Sequence, residues 1–273
     1  MSEEWNLLDS GCNDAAINMA LDEALLNWHS KGKIPPTIRF YGWSTPSLSL
    51  GHFQKVERSI HLQAIKKHQC QLVRRLTGGS AVLHDNELTY SVVVTENHPA
   101  IPKSVRDAYY VLSKGVLAGY QELGIQADYA VPDKTATKDR TAVCFEKTAY
   151  YELVVNGKKI SGNAQTRKQG VLLQHGSIPL EINDHMLFDL FVFPNEEIRE
   201  RKRKQFSKKA STINELTKKR YTYNEVKTAF IAGFKKGLDI KLNPVVLSSQ
   251  EWDEVYELAE RKYQDINKKM VRS

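Results

Sequence analysis

The most constraining feature of this 273-residue sequence is an Asn-Gly pair at 156–157, flanked on both sides by strand-forming residues. Such a pair predicts a two-residue β-hairpin, because both residues tolerate the positive φ that a type I′ turn requires. The hairpin would pair Val155 with Lys158 and Val154 with Lys159. Since side chains alternate across a strand, we expect Lys159 to look out from the polar face of this hairpin. The chain therefore contains antiparallel sheet, with a lysine held at a fixed place on it.

Cys144 is the cysteine that stands near this lysine, fifteen positions before it in sequence. An ammonium group beside a thiol stabilises the thiolate and can lower a cysteine pKa from about 8.5 into the range of about 3.5–7.5. The pair therefore suggests an activated nucleophile; the alternative is a buried cysteine and a solvated strand lysine. The other cysteines, Cys12 and Cys70, complete an odd set without Cys-x-x-Cys spacing, which argues against a disulfide framework or a cysteine zinc site. We expect free thiols.

Composition indicates an ordinary globular protein, because 41% of the residues are hydrophobic and the chain is long enough to bury a large core. No apolar run approaches the ~20 residues needed to span a bilayer. The N-terminus has neither a basic region nor an apolar region of the kind found in a signal peptide. The sequence therefore predicts a cytoplasmic protein with no membrane partner.

The net charge of +7 is concentrated in one segment. Between Arg199 and Arg220 the sequence has ten lysines or arginines against two acidic residues, Glu200 and Glu215. A local basic patch predicts an acidic partner, and a solvated basic face is the alternative. A non-catalytic nucleic-acid-binding protein is a remote alternative that would use the same segment.

Periodicity and turn residues divide the chain into strands and helices. Helices are predicted over about 14–30, with Asn13 or Asp14 as the N-cap, over about 57–68 and from 104. Everything after 184 is predicted helical, with capping boxes opening helices at Thr222 and Ser248. Strands are predicted at 5–8, 37–43, 48–53, 72–75, 81–84 and 88–95, followed by the hairpin and a further pair that turns near 168–170.

These elements predict an α+β fold, with a largely antiparallel sheet flanked by helices and a helical C-terminal segment. The region from 71 to 95 is expected to be mainly antiparallel, because its links are too short for crossover helices. We divide the chain into an N-terminal strand and helix (1–33), a main domain (34–247) and a C-terminal helix (248–273).

Two motifs suggest where the chemistry lies. The first, Arg-Arg-Leu-Thr-Gly-Gly-Ser-Ala-Val-Leu-His-Asp at 74–85, places two arginines, a glycine pair and His84 around one tight turn. Glycines allow the backbone to approach a ligand closely and leave amides available to a carbonyl or an anion. Because Arg74 and Arg75 alternate across a strand, we expect at most one of them to face a site. A histidine ending a strand is often structural, and that alternative stays open for His84.

The second motif, Lys-Ile-Ser-Gly-Asn-Ala-Gln at 159–165, follows the hairpin turn. Together the two motifs resemble the signature of the biotin/lipoyl protein ligase family, and the resemblance covers about 34–246. It implies a largely antiparallel sheet backed by helices, with an acyl chain held in a tunnel above the sheet.

Within this family, ATP-dependent lipoate ligases form an acyl-adenylate, whereas octanoyltransferases pass the acyl group through a cysteine thioester. In this sequence the cysteine precedes the lysine, in Ala-Val-Cys-Phe-Glu at 142–146. That order, with Arg-Phe-Tyr-Gly-Trp at 39–43 and Gln-His-Gly-Ser-Ile at 174–178, is similar to the octanoyltransferases of Gram-positive bacteria.

The resemblance implies that Cys144 is the acyl-thioester nucleophile and that Lys159 lowers its pKa. It implies octanoyl-acyl carrier protein as donor and the glycine cleavage H protein or another lipoyl domain as acceptor, with no cofactor, no metal and no nucleic acid. We expect a monomer, and an ATP-dependent lipoate ligase is the alternative. The residues expected to bind substrate are Arg75, Gly78, Gly79, His84, Ser161, Gly162 and Asn163.

Overall fold

The computed structural model of the chain describes residues 2–54, 59–130 and 152–264. Its strands are β1 (Glu3–Asn13), β2 (Thr37–Trp43), β3 (Ser47–Leu50), β4 (Gln71–Arg74), β5 (Val82–His84), β6 (Glu87–Thr95), β7 (Asp128–Tyr129), β8 (Leu153–Val155), β9 (Lys158–Lys159), β10 (Gly162–Lys168), β11 (Val171–Pro179) and β12 (Ile240–Val245). Its α-helices are α1 (Ala15–Ser30), α2 (Leu62–Lys67), α3 (Val105–Glu122), α4 (Asp184–Asp189), α5 (Glu196–Lys209), α6 (Ile213–Thr217), α7 (Tyr223–Leu238) and α8 (Ser249–Leu258), and a π-helical turn follows at Ala259–Tyr263.

A six-stranded sheet forms the centre of the fold, in the order β10-β11-β6-β2-β1-β12. The four strands from β10 to β2 pair antiparallel, and β1 pairs parallel with both β2 and β12. Two three-stranded sheets lie outside it, β4-β3-β5 and β7-β8-β9. The predicted α+β class with a largely antiparallel sheet flanked by helices is thus confirmed.

Alternating side chains of the central sheet supply two cores, one on each face. On β2, Phe40 packs with Phe230 and Phe234 of α7, whereas its neighbour Tyr41 packs with Leu21 of α1. The sheet is therefore a layer between α3 and α7 on one face and α1 and α8 on the other. This arrangement brings α1 against the face on which the candidate site lies.

Helix starts follow the capping residues that the sequence indicated. The Asp14 side chain accepts a hydrogen bond from the amide of Ile17 at 2.8 Å, which fixes the start of α1. Thr222 and Ser248 both form complete capping boxes, at the starts of α7 and α8. These local predictions are confirmed because a cap depends on residues only three positions apart.

One prediction about the sheets is wrong. The segment after 184 is not entirely helical, because β12 pairs with β1; its burial alternates from Ile240 to Leu242, a period-two signal within a region otherwise helical. The 71–95 region is mainly antiparallel, as predicted, because β5 pairs antiparallel with β3 and β6 pairs antiparallel with both β2 and β11. The exception within this region is β4. Strand β4 pairs parallel with β3, since α2 connects them as a crossover, and β5 and β6 belong to different sheets.

No helix in the described ranges is both long and apolar enough to cross a membrane. The N-terminal strand of the predicted 1–33 segment occupies an interior position of the central sheet. The division of the chain into three segments stays a prediction.

Candidate active site

A narrow cavity lies between the central sheet and the small sheet formed by β3, β4 and β5. Five of the residues predicted to bind substrate line it: Arg75, Gly79, His84, Gly162 and Asn163. Its other lining residues come from α1, β2, β3, β5, β6, β10 and β11, and they are Met19, Tyr41, Trp43, Ser49, Val82, Thr89, Ala164, His175, Gly176 and Ser177. Most of the exposed lining surface is apolar, which suits an acyl chain with a polar group at one end.

The loop between β4 and β5, residues 75–80, is here called the glycine loop. Arg75 holds its shape from within: Nη2 donates to the carbonyls of Gly78 and Ser80, both at 2.8 Å. Gly79 has a φ of +99°, and a side chain there would also run into the Arg75 guanidinium. The guanidinium therefore holds the carbonyls of Gly78 and Ser80 on the same side of the glycine loop.

The other nitrogens of Arg75 anchor the glycine loop to its surroundings. Nη1 donates to the carbonyl of Ser49 at 2.9 Å, and Nε donates to Oγ1 of Thr77 at 3.1 Å. Arg74 points elsewhere and donates to the carbonyls of Gly51 and Gln54. Of the two arginines, Arg75 thus lies at the cavity; its predicted contact with substrate stays a prediction.

His84 lies at the edge of the cavity and is fixed on three sides. Its Nε2 is 2.7 Å from Oγ of Ser49, its Nδ1 is 2.8 Å from a carboxylate oxygen of Glu87, and its ring stacks on Trp43 at 4.1 Å. Glu87 also accepts hydrogen bonds from Thr89 and from Ser177. These bonds leave the ring one orientation, so His84 forms a rigid wall of the cavity.

A second buried histidine, His175, connects α1 to the glycine loop. Its Nδ1 lies 2.9 Å from Oδ2 of Asp22, and its Nε2 lies 2.7 Å from Oγ1 of Thr77. Asp22 also forms a salt bridge of 2.8 Å with the fully buried Arg39. Burial acts to raise the pKa of Asp22, but the hydrogen bond with His175 and the charge of Arg39 outweigh it, so the pKa is lowered.

The hairpin register is confirmed, with Val154 opposite Lys159 and positive φ at both turn residues. The expectation that Lys159 looks out is wrong, because its side chain is only 2% exposed. It forms a salt bridge of 2.5 Å with Glu152 across the hairpin. The segment after α5 covers it: the amide of Ser211 donates to the carbonyl of Lys159 at 3.0 Å.

The remaining predicted residues lie close to the cavity lining. Gly78 is next to Gly79 in the glycine loop, and Ser161 is fully buried between Lys159 and β10. Asn163 on β10 accepts a hydrogen bond from the hydroxyl of Tyr90 at 2.8 Å. The roles of all these residues stay predictions.

Cys144 lies outside the described residues. The other two cysteines are free: Cys12 is exposed on β1, and Cys70 is buried. Burial raises the pKa of Cys70 to about 12, which leaves almost no thiolate at neutral pH. Neither lines the cavity.

Sequence reasoning missed Asp22, Thr77, Glu87 and Glu152. A signal existed for Asp22, because it lies four positions after Asn18 on the apolar stripe of α1, and both side chains bind Arg39. Polar residues spaced in this way on a buried helix face usually have partners. The partners themselves are distant in sequence, so the pattern could not identify them.

The fold and this cavity define a class. Residues 14–235 match the lipoyl protein ligase A/B catalytic domain family, and the chain belongs to this family. It is 56% identical over 267 residues to the octanoyltransferase LipM of Oceanobacillus iheyensis, covering 98% of this chain and 97% of that protein. It is also 52% identical over 266 residues to the octanoyltransferase LipM of Bacillus subtilis, covering 96% of each.

A solved structure with the same fold is the bipartite lipoate protein ligase of Thermoplasma acidophilum. It superimposes with a TM-score of 0.77 at 25% identity, covering 96% of this chain and 93% of that chain. The family resemblance and the fold predicted from the two sequence motifs are therefore confirmed.

Proposed function

We propose that this chain is an octanoyltransferase that moves an octanoyl group from octanoyl-acyl carrier protein to a lysine of a lipoyl domain, through a thioester on Cys144. The observation that carries the proposal is the identity of 56% with an octanoyltransferase over nearly the whole of both chains. The glycine cleavage H protein is the proposed acceptor, and another lipoyl domain would present the same lysine chemistry.

In the first step, the Cys144 thiolate attacks the thioester carbonyl of the donor. A new carbon–sulfur bond forms, the bond to the carrier thiol breaks, and the departing thiolate takes up a proton. The amides of Gly78 and Gly79 form no hydrogen bond with a described residue, so both are available to the oxyanion that develops on the carbonyl. The proposed place of the acyl chain is the apolar cavity beside the glycine loop.

In the second step, the acceptor amine attacks the enzyme thioester, an amide bond forms and the Cys144 thiolate leaves. The amine nitrogen must lose a proton during this step. Lys159 can accept that proton once its own ammonium proton has passed to the Glu152 carboxylate 2.5 Å away, so that the pair takes up one proton in total. The same pair holds the ammonium in place for the first step.

Mixing the enzyme with octanoyl-acyl carrier protein in the absence of ATP tests the proposal. Intact mass should rise by one octanoyl group, and peptide mapping should locate the group on Cys144. Modification of acceptor that requires ATP and free octanoate, with no adduct on the enzyme, would instead identify a lipoate ligase.

The basic helix α5 suggests where an acidic carrier protein docks. Arg201, Lys204 and Lys208 are exposed, and none has a described carboxylate within salt-bridge distance. Helix α5 ends one residue before Ala210, which bridges to Lys159 of the hairpin. A carrier bound on α5 would therefore deliver its thioester beside the proposed catalytic lysine.

Reversing these three charges (Arg201→Glu, Lys204→Glu, Lys208→Glu) should lower the rate at limiting carrier protein and flatten its salt dependence. The reason is that attraction between exposed opposite charges raises the rate at which the two proteins meet. Salt screens this attraction over a Debye length of about 10 Å at 0.1 M. Arg203 is left intact, since it pairs with Asp184 and Glu200.

The matched control, Lys114→Glu with Lys235→Glu and Lys241→Glu, changes net charge equally on exposed residues outside α5. It should retain the rate with carrier protein. Both variants should react normally with a small octanoyl thioester that lacks a protein carrier; equal impairment with that substrate would rule out a docking role for α5.

A further inference from the structure

We infer that Asp22 and His175 form a positioning unit that acts through Thr77 to hold the glycine loop, and thereby sets the loop amides against the thioester carbonyl. The inference rests on the proposed acyl transfer and assigns a part in it to α1. Neither Asp22 nor Thr77 lines the cavity. Their influence on the reaction would therefore be indirect.

The unit begins at Asp22, whose side chain is 2% exposed and which accepts four hydrogen bonds. Oδ1 accepts from Arg39 at 2.8 Å and from Ser91 at 2.9 Å. Oδ2 accepts from Tyr41 at 3.1 Å and from His175 at 2.9 Å. With four donors around it, the carboxylate remains ionised and cannot turn.

The negative charge of the Asp22 carboxylate determines the direction of the hydrogen bonds that His175 forms. Burial lowers the pKa of His175 below its ordinary value and outweighs the opposing effect of Asp22, so the ring is neutral and carries one proton. Asp22 can only accept, so that proton is on Nδ1. The other nitrogen, Nε2, must therefore accept, and the donor 2.7 Å away is the hydroxyl of Thr77.

Thr77 connects the oriented hydrogen bonds of His175 to the glycine loop. Its single hydroxyl proton is directed to His175, which turns its lone pairs toward Nε of Arg75 at 3.1 Å. Its own carbonyl accepts from the amide of His52 at 2.9 Å, so the backbone of Thr77 is fixed as well. Because a guanidinium is planar, fixing Nε also sets the plane of Arg75.

Arg75 completes the unit by binding the carbonyls of Gly78 and Ser80. Holding the Gly78 carbonyl to one side fixes the peptide plane that it shares with the Gly79 amide. The Gly78 amide shares its plane with the Thr77 carbonyl, which the amide of His52 holds in place. A structural role alone would not require this chain of polar groups, since apolar residues of similar volume often stabilise a core equally well. What only hydrogen bonds supply is a defined orientation.

The decisive variant is Thr77→Val, which keeps the β-branched shape and removes the hydroxyl. We expect kcat for a small octanoyl thioester to fall on the order of 10²-fold with KM little changed, because displacing a positioned group by about 1 Å costs this much. Thr77→Ser keeps the hydroxyl and should stay within a few-fold of wild type. Thr37→Val, the same change at a buried threonine whose hydroxyl donates to the carbonyl of Pro35 outside this unit, is the matched control and should retain kcat.

Asp22→Asn is a second variant, for use if Thr77→Val does not fold. An amide in place of the carboxylate can donate to Nδ1, so the proton moves to Nε2 and the Thr77 hydroxyl must turn away. Its kcat should also fall while thermal unfolding stays cooperative.

The same loss in Thr77→Ser as in Thr77→Val, or wild-type kcat in Thr77→Val, would overturn the inference. If wild type itself forms no octanoyl adduct, the proposed function fails first, and the two failures are thus distinguishable.

Discussion

Replacement of Cys144 by alanine should abolish octanoyl transfer and leave no acyl adduct on the protein. The proposed reaction passes through a thioester, and alanine offers no atom on which one can form. The measurement is intact mass after mixing with octanoyl-acyl carrier protein, together with the rate of acceptor modification. Substantial turnover by Cys144→Ala would remove the thioester mechanism and favour the ligase alternative.

The other two cysteines provide controls of different kinds. Cys70→Ala should retain activity, because burial raises the pKa of the Cys70 thiol to about 12 and suppresses its thiolate. Cys12→Ala should also retain activity, although this thiol is exposed, because it does not line the cavity. Together these two variants test whether transfer requires Cys144 itself or only some reactive thiol.

Lys159→Met should reduce octanoyl transfer on the order of 10²-fold or more and displace the alkylation-rate profile of Cys144 to higher pH. The sign follows from the charge: without an ammonium nearby the thiolate is less stable, so a higher pH is needed to form it. The magnitude is what a positioned proton-transfer group usually contributes. Methionine is also unbranched and only one atom shorter, and it removes the ammonium with its N–H donors.

Lys158→Met is the matched control, since Lys158 is the adjacent residue of β9 and, within the described ranges, its Nζ donates to the carbonyl of Ser207. It should leave the alkylation profile unchanged. Because Lys159→Met also removes a charge partner of Glu152, the double variant with Glu152→Gln should recover stability to heat without recovering transfer. Equal effects at Lys158 and Lys159 would mean that neither lysine has a specific role with the thiol.

Local signals carried much of the fold prediction. The Asn-Gly pair set the register of the hairpin, and Asp14, Thr222 and Ser248 each fixed the start of a helix, because all of these depend on residues within a few positions of one another. The two motifs likewise brought five predicted residues to one cavity. Contacts between distant segments were less accessible: nothing near Ile240 in sequence identifies β1 as its partner.

The burial of Lys159 shows where pattern analysis stops. Alternation predicts which side chains share a face of a hairpin, but whether that face is covered depends on a remote segment, here Ala210 and Ser211. The Asp22–His175–Thr77 connection could not be predicted for the same reason, because it also depends on segments that are remote in sequence. Its three residues come from α1, β11 and the glycine loop, so no window of the sequence contains the unit.

The interior position of β1 in the central sheet affects how the protein can be made. Glu3 pairs with Ile240 and Leu8 with Val245, so β1 obtains its second neighbour only after nearly all the other described residues have been translated. Until then one edge of β1 lacks its final partner and can pair with another chain. Such long-range pairing slows folding. Because α1, which carries Asp22, directly follows β1, we expect the Asp22–His175–Thr77 unit to reach its final rigidity only after β12 has been translated.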